Sequence, residues 1–126
     1  MLPDFERAVR DGDAATVGRM LDEGTDVNSR DTHSQTGLMI AAQRGHLAVV
    51  RALIGRGADL NQSAKYHLTA LMLAVINRHA EVVRVLVEAG ADVSVQGTGA
   101  PGFAGRTARD IAEGIGDPAL NAALNR

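Results

Sequence analysis

The chain has 126 residues, with 13 basic against 15 acidic side chains, 45% hydrophobic residues and 2% aromatic ones. That length suits one domain, and a formal charge of −2 lacks the basicity typical of a nucleic-acid binder. The absence of cysteine excludes disulfide scaffolds, cysteine nucleophiles and zinc sites with thiolate ligands.

The N-terminal residues lack a basic segment followed by an apolar run, and no stretch nears the roughly 18 apolar residues of a membrane span. A cytosolic protein without membrane attachment is therefore expected. Phe5, Tyr66 and Phe103 make up the whole aromatic content, so the core must be assembled from Ala, Val, Leu and Ile.

In chain order, the elements follow a repeat. Gly24-Thr25-Asp26-Val27-Asn28 returns as Gly57-Ala58-Asp59-Leu60-Asn61 and again as Gly90-Ala91-Asp92-Val93-Ser94, each time 33 residues on. Residues 1–30 form a first unit in which Phe5 aligns with Leu38 and Leu71, a register that predicts a buried ring. In residues 31–63, Thr36 is placed to N-cap a helix through its side-chain oxygen, and Gly45 interrupts that helix before a second apolar stretch begins at Leu47. Gly57 follows the second helix, where a left-handed residue commonly ends the structure. Residues 64–96 repeat the plan with Thr69 and Gly90. In residues 97–126, Thr107 follows Thr69 by 38 residues, so about five extra residues sit between Gln96 and Gly105 and predict an elongated loop.

Ala8, Ala41, Ala74 and Ala112 align across the units, as do Met20, Leu53, Leu86 and Leu124. Small residues let first helices approach one another, and larger ones fill the space between the two helical layers. Burying one Leu or Val contributes about 1.5–3 kcal/mol, yet no single unit can bury its own face. The expected fold is therefore an all-α repeat solenoid, stabilised by stacking.

These motifs resemble the ankyrin repeat, whose T-P-L-H-x-A-A signature is followed by G-H, V-V and G-A-D-V-N at a period of 33. The matching residues are Thr36 to Ala42, Gly45-His46, Val49-Val50 and Gly57 to Asn61, with their equivalents one period later. The resemblance implies helix pairs joined by outward hairpin loops: two internal repeats at 31–63 and 64–96, an N-terminal cap at 1–30 and a divergent C-terminal cap at 97–126. It further implies a non-catalytic module that binds a partner protein. Three departures stand out. The signature Pro is replaced by Gly37, Ala70 and Ala108. The signature His, which in the family ties neighbouring loops together, is replaced by Met39, Met72 and Asp110. Arg78 occupies a family glycine position, which implies a left-handed arginine.

Other motifs reduce to structural readings. Gly97-Thr98-Gly99-Ala100-Pro101-Gly102 spells G-x-G-x-x-G, but no strand precedes it and no acidic residue follows at the spacing of a dinucleotide site. Lys65 is the only lysine, and no phosphate-loop glycines precede it. His46 and His79 occupy one repeat position, which the family uses structurally. His33 and His67 fall in successive loops without carboxylates or thiolates to complete a metal site. Asp26, Asp59 and Asp92 are expected to bond the backbone of their own turns. Neither a cofactor nor a metal is expected, and catalysis is not.

The resemblance places the partner-binding surface on the hairpin tips and the exposed ends of the first helices. In the first internal repeat these positions are Thr32, His33, Gln35, Gln43 and Arg44; in the second they are Lys65, Tyr66, Leu68, Ile76 and Asn77, with Phe103 in the long loop beyond. Tyr66, Leu68 and Ile76 put apolar groups where water favours polar ones, which marks either a contact surface or packing beneath the loop at 97–105. A monomer is expected. The alternative is a structural or regulatory subunit that self-associates through this patch.

Overall fold

The computed structural model describes residues 1–99 and 102–125; Ala100 and Pro101 of the long loop, and Arg126, lie outside the described residues. Among the described residues the chain forms eight α-helices and no strand. They are α1 (Pro3–Asp11), α2 (Ala14–Asp22), α3 (Gly37–Arg44), α4 (Leu47–Gly55), α5 (Ala70–Ile76), α6 (Ala80–Glu88), α7 (Ala108–Ile115) and α8 (Pro118–Leu124), with a single 3-10 turn at Lys65–His67.

The helix starts follow the sequence chemistry. Thr36 Oγ1 accepts from the Met39 amide and Thr69 Oγ1 from the Met72 amide, each at 3.3 Å. Both satisfy an amide that the first helical turn leaves without a partner. At α7 the bonds are reciprocal, because Thr107 caps the Asp110 amide while the Asp110 carboxylate accepts from the Thr107 amide.

Odd-numbered helices form one layer and even-numbered helices the other. Each α1, α3, α5 and α7 packs on the next in that series, as do α2, α4, α6 and α8, and each pair closes on itself. All major contacts are thus between neighbours, the arrangement of a solenoid. Phe5 is fully buried in the core, alongside Leu38 and Leu71. Ala41, Ala74 and Ala112 are completely buried between first helices, and Leu53 and Leu86 between the layers. Met39 and Met72, standing where a loop-bonding histidine was implied as missing, are core residues as well.

The loops are nonetheless tied together, through other side chains. Asn28 Oδ1 accepts from the Asp59 amide and Asn61 Oδ1 from the Asp92 amide, both at 2.8 Å, so one bond recurs with the repeat. The Arg30 guanidinium donates to the Ser63 carbonyl at 3.0 Å, linking one hairpin to the next. Asp26, Asp59 and Asp92 accept from amides two residues on, at 2.8 to 3.0 Å, closing their own turns as expected.

Between the helices of each pair, the chain reverses through a left-handed residue: Gly12 (φ 74°), Gly45 (φ 73°), Arg78 (φ 62°) and Gly116 (φ 75°). The implied left-handed arginine is present. At the first two positions a histidine from the next unit lies against the turn. His46 Nε2 donates to the Arg10 carbonyl at 2.8 Å and His79 Nε2 to the Gln43 carbonyl at 3.0 Å. A Cβ on Gly12 would fall 2.8 Å from the His46 ring, and one on Gly45 would fall 2.6 Å from the His79 ring.

Candidate binding groove

A groove of about 720 Å³ opens between the hairpin tips and the ends of the first helices. Two successive hairpins form one wall. In the first, Asp31 folds the loop by accepting from the His33 and Gln35 amides at 2.8 and 2.9 Å, which presents both side chains to the groove. In the second, Tyr66 (φ 63°) and His67 (φ 60°) are consecutive left-handed residues, a conformation unfavourable to side chains with a Cβ. That strained turn projects the Tyr66 ring outward at 39% exposure, with the Lys65 ammonium 5.0 Å from its centre.

The opposite wall is made by the ends of α1, α3 and α5. Arg10, Gln43 and Arg44 supply its polar groups, with Asn77 held by a 2.8 Å bond from its side-chain amide to the Leu73 carbonyl. Leu68 and Leu73 give the floor its apolar character. Arg10 is fixed by Glu6 at 3.5 Å and by Asp31 at 3.3 Å, the Asp31 side chain being only 1% exposed. Among the described residues, Arg44 and Lys65 have no carboxylate within ion-pair distance.

Eight of the residues expected from the sequence thus meet in one place: His33, Gln35, Gln43, Arg44, Lys65, Tyr66, Leu68 and Asn77. Thr32 lies instead in a shallower cleft between the two hairpin tips. Ile76 and Phe103 do not line the groove; both are partly buried against the core, because an aliphatic or aromatic group at a helix end or loop gains more by folding inward than by facing water. Leu68, too, is partly buried. The expected row of three solvent-facing apolar side chains therefore reduces to Tyr66. Arg10, Ala64 and Leu73 also line the groove and were not singled out from the sequence. Arg10 was within reach of the pattern, since it precedes Gln43 by one repeat period.

The long loop packs beside the groove. The Thr98 amide donates to the Tyr66 carbonyl at 2.7 Å, and His67 Nδ1 donates to the Gln96 carbonyl at 3.1 Å. A Cβ on Gly99 would meet the Tyr66 ring at 3.2 Å, and one on Gly97 would fall 2.7 Å from the Phe103 carbonyl oxygen. The spacing of these glycines thus reflects close packing of the loop on its neighbours.

Three carboxylates are held below the ordinary range for aspartate, all by hydrogen bonds. For Asp13 the Thr16 hydroxyl acts first and the Thr16 amide second. For Asp92 the Ser94 hydroxyl leads, followed by the Ser94 amide. For Asp110 the Thr107 amide leads, followed by the Thr107 hydroxyl. None lines the groove. Among the described residues no three His, Asp or Glu side chains gather where a metal ion could bind. No described helix is long and apolar enough to cross a membrane.

Helix pairs stacked in register, with a groove along the hairpins, define a helical repeat protein. The sequence profile of ankyrin repeats matches residues 5–97 as three copies, which is well over half of the chain. The chain belongs to the ankyrin-repeat family. None of the curated proteins compared with it matches. Ankyrin repeats are in general protein–protein interaction modules.

Proposed function

We propose that the chain is a non-catalytic module that binds a partner protein through the groove and the hairpin tips, acting as a cytosolic monomer. The reading is carried by the convergence of repeat-equivalent positions: Gln35 with Leu68, Arg44 with Asn77, and Arg10 with Gln43 come from different units yet face one space. Its side chains combine amide and cationic hydrogen-bonding groups with an exposed tyrosine, the mixture that suits a protein surface. Self-association through an apolar patch has less support, since Leu2 and Tyr66 are the only large exposed hydrophobic residues described, and Leu2 is not in the groove. The helix pair α7 and α8 is read as the divergent C-terminal cap.

The test is affinity capture with the wild-type chain beside Tyr66→Asn. Asparagine tolerates the left-handed backbone, so this variant removes the ring without adding strain. Proteins retained by the wild type and lost from a variant of equal melting temperature support the groove. Equal retention by both chains places the contact elsewhere.

A further inference from the structure

Resting on that reading, we propose that the groove is selective for an acidic partner segment, an extended peptide carrying carboxylates and an apolar residue. Arg10, Arg44 and Lys65 line the groove, whereas no aspartate or glutamate does. Arg10 is already neutralised by Glu6 and Asp31, so its charge is spent inside the protein. Arg44 and Lys65 are exposed and have no carboxylate in ion-pair distance among the described residues, so their charges face whatever enters.

The two cations sit on opposite walls, one at the end of α3 and the other on the second hairpin tip. The same groove holds Tyr66, with the Lys65 ammonium 5.0 Å from its ring centre, and Leu68, which offer apolar surface, while Gln43 and Asn77 offer amides that bond extended backbone. A peptide that matches the groove therefore combines carboxylates with an apolar residue. Direction along the stack is also marked. The position one period before Arg44 is Asp11, which joins Asp4, Asp13 and Glu23 around a cleft at the N-terminal end that also holds Arg7 and Arg19. The excess of carboxylates over arginines there disfavours an acidic chain at that end.

The experiment is selection from a displayed library of random 12-residue peptides, performed on the full chain and on Arg44→Glu/Lys65→Glu. The peptides retained by the wild type are expected to be enriched in Asp and Glu, with at least one apolar residue. Those retained by the reversed variant are expected to lose that enrichment or exchange it for Lys and Arg. For a synthetic peptide from the wild-type pool, Arg44→Gln/Lys65→Gln should weaken binding by about tenfold, as should raising salt from 0.05 to 0.5 M. Matched melting temperatures establish that the variants are folded.

A wild-type pool without acidic enrichment overturns the proposal, as does an enrichment that survives charge reversal. These failures are distinguishable from failure of the groove itself. Peptides of neutral or basic composition that still require Tyr66 leave the binding role standing and remove the acidic preference. A library that retains nothing, or only peptides indifferent to every groove substitution, removes both.

Discussion

The reversal within a helix pair is built in two ways. At Gly12 and Gly45 the turn is left-handed and a histidine of the following unit lies against it, so a Cβ there meets both backbone strain and an imidazole ring. At Arg78 the turn is equally left-handed, but the position two helices later that corresponds to His46 and His79 is Asp117, which caps α8 by accepting from the Ala119 amide at 2.9 Å. One requirement has lapsed and the other remains. The comparison separates two reasons for glycine that coincide at the first two turns: freedom of φ, and room for a neighbour. An arginine survives where only the first applies.

The largest effect should come from breaking the doubly constrained turn. Gly45→Ala is expected to destabilise the fold by about 2–3 kcal/mol, combining the left-handed penalty with loss of the His79 bond. Urea unfolding measures this, and in a double-mutant cycle His79→Ala should make the alanine less damaging than the sum of the single losses. Simple additivity would show that the ring and the turn are independent.

The singly constrained turn should respond in the opposite direction. Arg78→Gly is expected to stabilise by about 1 kcal/mol, because it removes strain and disturbs no packed ring. An unchanged or lowered melting temperature would break the equivalence of the three turns. A smaller gain, about 0.5–1 kcal/mol, is expected for Gly37→Ala. The equivalent positions are already Ala70 and Ala108, and the new methyl would sit at ordinary contact distance, 3.5 to 3.6 Å, from Phe5, Leu53 and Val9.

The smallest effect concerns acid. Asp13, Asp92 and Asp110 have lowered folded-state pKa values, so each contributes stability above its unfolded value near 3.8, and that contribution is lost as pH falls through the folded value. Two of the three lie on the Arg78 side of the molecule. Hydrogen exchange below pH 4 should therefore show α7 opening before α3, and Asp110→Asn should flatten the difference.

What the sequence made legible was whatever a single unit dictates locally. Thr36, Thr69 and Thr107 announce caps, Asp26, Asp59 and Asp92 announce turns, and the register of Phe5 with Leu38 announces burial. The groove was largely legible as well, because a repeat converts one exposed position into several. The losses came where two distant side chains decide the outcome. Nothing local in Ile76 tells that it turns inward while Gln43, at the same repeat position, lines the groove. Arg10 enters the groove at a position that only the alignment marks, and its neutralisation depends on Asp31, 21 residues away. The partners of His46 and His79 lie 36 residues back, so a structural role could be read for them but not the bond that gives it.

The paired glycine and histidine also determine which units can follow one another. The unit at 31–63 carries both halves of the junction, Gly45 to receive a ring and His46 to deliver one, together with Asn61 to reach forward and Asp59 to be reached. It could follow a copy of itself with the histidine and asparagine bonds preserved, although Ser63 and Gln43 would stand where Arg30 and Arg10 make the bonds to Ser63 and Asp31. The unit at 64–96 delivers His79 but carries Arg78 where the ring-receiving glycine would be, and Ser94 stands where the forward-reaching asparagine would be. The pair α7 and α8 still packs on it, so the stack continues there by helix packing without the histidine and asparagine bonds that join the earlier units.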